Sequence, residues 1–271
     1  MKLQEKLLKY SAQKKAILAT NFYNLETLQG ILKAAAELRT PIILQLSKSS
    51  IDYIGLNMAV KMAKRGIEDY GIEGWVHLDH GDNPELVRRC LDAGFDSVMM
   101  DASEKTFDEN VRISAGVVEM AKSYGAHVEA ELGYVAKLGQ NQTDHGFTRP
   151  EDAKRFVELT GVDALAVAIG SAHGFYKKEP HLQIDLLEKI HQATAVPLVL
   201  HGSSGIPPGM INDAVSHGIS KINLATEIKD TFLRTLRMQL ATTVEIDLRK
   251  LFPPAINSVS ELIKAKLLSL P

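Results

Sequence analysis

Eight short, β-rich apolar runs recur along the chain, at 16–20, 41–47, 75–80, 97–102, 127–132, 164–170, 197–202 and 221–226. Most are nearly continuous instead of alternating, which is the pattern of strands covered on both faces. Segments with helical spacing lie between them. In 24–38, Leu25, Leu28, Ile31, Leu32 and Ala35 form one apolar stripe. Asn83-Pro84 pairs a capping residue with the imino acid tolerated in a first helical turn. The stretches 108–124, 150–160, 183–193, 207–217 and 226–240 read the same way, and 51–69 is a less regular candidate. Eight strands, each with a following helix, close into a parallel (β/α)₈ TIM barrel. Residues 2–13 are expected as an extra N-terminal helix under the barrel and 247–268 as a C-terminal helical extension. No Pro/Gly/Ser-rich linker interrupts the 271 residues, so a single domain over 1–271 is expected.

Composition narrows the partners. Lys and Arg (31) balance Asp and Glu (33) to a formal net charge of −2, so neither nucleic acid nor an acidic membrane surface is expected. Cys90 is the one cysteine, which excludes an intrachain disulfide and a Cys-rich zinc module and fits a reducing compartment. No stretch reaches the roughly 18 apolar residues of a membrane span, and the N-terminus lacks the apolar core of a signal peptide. A cytoplasmic location is therefore expected.

Ionisable groups gather at the C-terminal ends of the runs. Asp79 and His80 close the third, Asp101 the fourth, Glu129 and Glu131 the fifth; His173 follows the sixth, His201 ends the seventh and Asn223 sits in the eighth. In a closed barrel these ends share one mouth, where this fold places its active sites. Three histidines from different strand ends, without cysteine, suit a borderline-soft divalent cation such as Zn²⁺ and leave a coordination position open. Asp101, Glu129 and Glu131 would either accept hydrogen bonds from those histidines or hold the metal in an alternative position. Glu129 and Glu131 share one strand face by period-2 alternation. The small-residue turns His201-Gly202-Ser203-Ser204-Gly205 and Asn223-Leu224-Ala225-Thr226-Glu227 follow the seventh and eighth runs, where backbone N–H groups of this fold usually hold phosphate. His77 and His127, near strand starts, and His181, His191 and His217 read as structural. Lys221 begins its run and is expected to face the barrel floor, a poor position for a Schiff base.

The blocks HLDHG (77–81), SVMMDAS (97–103), VEAELG (128–133), TGVDALAVAIGSAHGFYK (160–177), PLVLHGSSGIP (197–207) and KINLATE (221–227) resemble, in order and over nearly the whole chain, the class II metal-dependent ketose-bisphosphate aldolases. This resemblance to the fructose- and tagatose-bisphosphate aldolase family implies that His80, His173 and His201 bind zinc, with Asp101 and Glu131 as acidic residues around the metal. It implies that Asp79 is the acid/base. Gly202, Ser204, Ala225 and Thr226 match the turns holding the phosphate of dihydroxyacetone phosphate, Asn223 matches a contact to that substrate, and Lys177 is a further phosphate candidate. Backbone around Gly174 and Ser204 resembles the family's site for a monovalent cation, Na⁺ or K⁺. The implied reaction makes or cleaves a ketose phosphate through a Zn-stabilised enediolate. The resemblance also implies a homodimer or homotetramer.

Two departures stand out. Members of the family usually carry a glutamate in the loop after the fifth strand that exchanges the C3 proton; 133–149 contains none, leaving Asp144 and His145 as replacement bases. In members acting on bisphosphates an arginine near the C-terminus can reach the far phosphate in a neighbouring subunit, and Asp247-Leu248-Arg249 occupies the comparable place, although Arg249 reads at least as well as a helix-start charge. The missing glutamate motivates the alternative of a non-catalytic sugar-phosphate-binding protein on the same fold.

Overall fold

The computed structural model describes residues 1–133, 135 and 146–271. Eight strands, β1 (Ile17–Asn21), β2 (Ile42–Ser47), β3 (Gly74–Gly81), β4 (Ser97–Met100), β5 (His127–Leu132), β6 (Ala164–Val167), β7 (Leu198–Leu200) and β8 (Ile219–Leu224), pair in sequence order. All pairings are parallel and β8 returns to β1, so the sheet is a closed barrel. Around and below it lie α1 (Leu3–Ala12), α2 (Leu25–Leu38), α3 (Lys48–Ile54), α4 (Leu56–Asp69), α5 (Pro84–Asp92), α6 (Phe107–Lys122), α7 (Pro150–Thr160), α8 (Ile184–Ala193), α9 (Pro208–Ser216), α10 (Thr226–Thr242), α11 (Leu248–Leu251) and α12 (Pro253–Ser269). No helix among the described residues is long and apolar enough to cross a membrane.

Local chemistry starts these helices. Asn24 Oδ1 accepts the Thr27 N–H at 2.9 Å while Thr27 Oγ1 accepts the Asn24 N–H, a reciprocal capping box at α2. Asn83 Oδ1 accepts the Leu86 N–H at 2.8 Å ahead of α5, whose first residue is Pro84. The expected helix over 51–69 is two helices, because Gly55 takes φ +89°, a conformation glycine alone adopts cheaply. The expected 247–268 helix is likewise split: Asp247 caps the short α11, and Pro253-Pro254 open α12.

Period-2 alternation sorts each strand into an outer and an inner face. Outward residues such as Leu44, Leu78, Val98, Ala130, Leu165 and Ile222 pack with the helices in the main core. The inner face is stacked in tiers, as in other barrels of this type. At the floor, Leu3 and Leu7 of α1 pack on Ile17, Ala19, Ile43 and Trp75, placing α1 as the plug expected from sequence. Met99, Ala164, Ala166 and Val199 fill one interior side. Most of the remaining inner positions are polar and buried, among them Gln45, His77, Asp79, Glu129, Glu131, His201, Lys221 and Asn223. Lys221 is thus not at the floor, and His77 is not at a strand start. β8 begins at Ile219 and β3 at Gly74, so both residues point into the middle of the barrel.

His127 begins β5 beside the floor, 4% exposed, with no hydrogen-bond partner for either ring nitrogen and with Asp163 Oδ2 4.0 Å from Nδ1. Burial, opposed by Asp163 and Glu129, pushes its imidazole down to about 4, so it is neutral in the folded chain near pH 6. An unfolded histidine titrates near 6.5. The stability this contributes is fully present above pH 6.5 and is lost as pH falls toward 4, by on the order of 3 kcal/mol. Urea unfolding of the metal-free chain between pH 7 and pH 4.5 should show a steeper loss for wild type than for His127→Gln; parallel curves would contradict the assignment.

Candidate active site

The polar tier opens at the C-terminal ends of the strands into a pocket lined by Asn21, Asp79, His80, His173, Gly174, His201, Gly202, Ser204, Asn223, Ala225 and Thr226. A larger cleft of about 840 Å³ lies at the opposite end, around Trp75, Asp96 and His127, and holds none of the three strand-end histidines. Chemistry, not size, therefore marks the mouth as the candidate site.

His80 reaches the mouth by breaking the strand pattern. Strict alternation would send it outward, opposite to Asp79. The β3–β4 register shifts between Leu78 and Gly81, and His80 takes φ +49°, a left-handed conformation uncommon outside glycine. Asp79 and His80, adjacent in sequence, consequently both serve the same pocket. Such strain, of order 1–3 kcal/mol, is typically retained at functional sites.

His80, His173 and His201 bring one ring nitrogen each within 4.8 Å of the others. Their centroids are separated by 5.0 Å (His80–His173), 4.7 Å (His80–His201) and 5.9 Å (His173–His201). Carboxylates stand behind two of the rings. Asp101 Oδ2 lies 2.7 Å from His80 Nδ1, and its other oxygen accepts from the Ser103 backbone and hydroxyl. Glu129 Oε1 lies 2.9 Å from His201 Nε2. A carboxylate can only accept, so these contacts place an N–H on His80 Nδ1 and on His201 Nε2 and turn His80 Nε2 and His201 Nδ1 inward, where the His80 imidazolium donates from Nε2 to His201 Nδ1 at 2.9 Å. The Asn223 amide nitrogen is 3.1 Å from His201 Nε2, but that N–H is committed to Glu129, so Asn223 donates instead to Asp79 Oδ1 at 3.3 Å.

The donor set fits a divalent cation. Glu131 Oε2 is buried without a hydrogen-bond partner, 3.9 Å from His201 Nδ1, and His80, Asp101 and Glu131 form a second group of ligating atoms within 4.8 Å. Burial and then Asp101 push the Glu131 carboxyl up to about 8. Burial works against the His80 imidazolium, but Asp79, the Asp101 hydrogen bond and Glu131 outweigh it and raise that ring to about 10. Burial, reinforced by His80 and His201, lowers His173 to about 3. This cluster of carboxylates is arranged to receive positive charge at the point where the imidazoles converge.

Asp79 is 7% exposed; Asn21 donates to its Oδ2 at 2.9 Å, and its Oδ1 is 4.0 Å from His80 Nε2. On the far side of the pocket, the β7 and β8 turns are stitched together. Ser203 Oγ donates to the Asn223 carbonyl at 2.6 Å, and the Gly205 N–H is held by Glu227. Tyr176 bridges the β6 and β7 loops, its hydroxyl accepting from Ala172 N and donating to the Gly202 carbonyl at 2.8 Å. Gly202 must be glycine: it adopts φ +69°, and an added Cβ would stand 2.4 Å from the Ala172 carbonyl oxygen. Ala225 precedes α10 and Thr226 starts it, and both line the pocket.

Most of the residues singled out from sequence thus meet at one rim. Lys177 is exposed on the β6–α8 segment and does not line the pocket. Arg249 stays at the start of α11, 89% exposed, with Nε and Nη2 each 2.9 Å from Asp247 oxygens. Within the single chain it does not line the pocket. Asp144 and His145 lie outside the described residues. Sequence reading missed Asn21, Gln45 and Tyr176, and it set Lys221 at the floor instead of in the polar tier. Asn21 was findable, since it ends β1 as the other site residues end their strands.

Comparison with known proteins agrees with this geometry. The sequence matches the family described as fructose-bisphosphate aldolase class-II over residues 1–270. It is 42% identical over 253 residues to a fructose-bisphosphate aldolase of Geobacillus stearothermophilus, covering 91% of this chain and 88% of the relative. It is also 42% identical over 226 residues to the D-tagatose-1,6-bisphosphate aldolase subunit GatY of Klebsiella oxytoca, covering 82% and 80%. Among solved structures, the YdjI aldolase of Escherichia coli K12 superposes with a TM-score of 0.89 at 31% identity, over 98% of this chain and 96% of that one.

Proposed function

The chain belongs to the class II fructose-bisphosphate aldolase family, and from that premise we propose that its mouth cleaves and forms a ketose phosphate with dihydroxyacetone phosphate as the three-carbon partner. The observation that carries this reading is the convergence of His80, His173 and His201 beside Asp79, next to the N–H-rich turns after β7 and β8. Those imidazoles would hold a divalent ion such as Zn²⁺, which would supply Lewis acidity to stabilise the charge developing on the ketose. The chain's own residues do the rest. Asp101 and Glu129 keep two of the imidazoles in the tautomers that face inward. Asp79, steadied by Asn21 and Asn223, takes the C4 hydroxyl proton during cleavage and returns it to the aldehyde oxygen during condensation.

Gly202, Ser204, Ala225 and Thr226 present backbone N–H groups to the phosphate, aided by the N-terminus of α10. The Gly174 and Ser204 backbone is the proposed seat of a monovalent cation, Na⁺ or K⁺. Asp144 and His145 are the proposed bases at C3, and a homodimer or homotetramer is the proposed assembly.

Retro-aldol assays on ketose 1-phosphates and 1,6-bisphosphates test the proposal. Turnover of at least one phosphorylated ketose that stops with chelator is expected. Chelator-insensitive turnover, or binding of every phosphorylated ketose with cleavage of none, would overturn it, the latter in favour of a sugar-phosphate binder.

A further inference from the structure

Directly beneath His201 the barrel encloses a lysine that solvent does not reach. Lys221 is 0% exposed, yet its three ammonium protons have three acceptors. Glu129 Oε2 lies at 2.7 Å and His77 Nε2 at 3.3 Å. The Gln45 carbonyl oxygen lies at 3.2 Å in the amide orientation that satisfies both ends of that side chain. An ammonium can only donate, so His77 Nε2 accepts from Lys221 and the ring proton falls to Nδ1, 2.7 Å from Ser97 Oγ. Burial and the neighbouring Lys221 hold the His77 imidazole well below the usual range, in keeping with a neutral ring.

Glu129 is therefore gripped from two sides. Lys221 fixes Oε2, which leaves Oε1 aimed at His201 Nε2. We propose that Lys221 is a positioning residue for the metal centre: by anchoring Glu129 it fixes the tautomer and aim of His201, and so sets the affinity of the site for a divalent cation. This rests on the three-histidine reading above. Stability alone is a poor reason for the ladder, because a buried ion pair is often replaceable by apolar side chains without loss. The neighbouring interior wall of Met99, Ala164, Ala166 and Val199 is filled in that apolar way.

The test uses the full chain stripped of metal, titrated with Co²⁺ against a chelating competitor, together with ¹⁵N-histidine spectra that report which ring nitrogen carries the proton. In Lys221→Met, Co²⁺ affinity should fall by about tenfold or more, within the range seen when a metal-bound histidine loses its supporting partner. His201 should pass from a pure Nε2–H form to a tautomer mixture. If Lys221→Met does not fold, the charge-neutral double variant Lys221→Met/Glu129→Gln carries the same two readings, since it leaves no unpaired buried charge. A purely structural Lys221 would lower the thermal unfolding midpoint of the metal-free chain while leaving Co²⁺ affinity and the His201 tautomer as in wild type, and that result overturns the proposal. A wild-type chain that binds no Co²⁺ through its histidines would instead overturn the site reading on which it stands.

Discussion

Asp79→Asn should slow retro-aldol cleavage by about 10²- to 10⁴-fold, the usual worth of a positioned acid/base group, while the bound-metal stoichiometry stays at the wild-type value. Asn21 donates to one oxygen of Asp79 and Asn223 to the other. The asparagine amide keeps the shape but can accept from only one of them, so a stability loss of about 1–3 kcal/mol is expected beside the kinetic one. The readout that isolates the role is exchange of the C3 proton of dihydroxyacetone phosphate in deuterated water, which needs no C4 hydroxyl and should persist. If exchange and cleavage fall together, Asp79 is not acting at C4.

Removing the metal should have a comparable effect by another route. A Lewis acid contributes several kcal/mol of charge stabilisation; at 1.36 kcal/mol per decade, dialysis against chelator should cut turnover by about a thousandfold or more, with Zn²⁺ or Co²⁺ restoring it. His201→Ala makes the loss permanent. It removes an inward nitrogen and also leaves Glu129 and Lys221 without the group they support. Its thermal unfolding midpoint should then no longer rise when metal is added, whereas that of wild type should. A metal-dependent rise in His201→Ala equal to that of wild type would show that the ion binds elsewhere.

The barrel was legible because strands buried on both faces leave nearly continuous apolar runs, and because the strand-end rule converts scattered histidines into one rim. Where the reading slipped, the cause was position along a strand more than identity of a residue. Starting β8 at Lys221 instead of Ile219 keeps the side chain on the correct face, since two residues are one full period, but lowers it by a tier. That error turned an interior cation into a floor residue. His77, near the start of the 75–80 run, is the fourth residue of β3. The approach of His80 to the mouth could not be read from periodicity at all, because it depends on a register shift and a left-handed backbone that alternation forbids. Arg249 illustrates the opposite limit: a motif-like Asp-x-Arg spacing is equally the spacing of a helix cap and its first-turn partner.

The polar tier that carries Lys221, Glu129 and His77 has a consequence for protein engineering. Anyone grafting this rim onto a different eight-stranded scaffold, choosing only the side chains that would touch a ligand, would set His201 above an oily interior with no acceptor for its Nε2–H. The transplant would have to be two storeys deep to keep its grip on a cation.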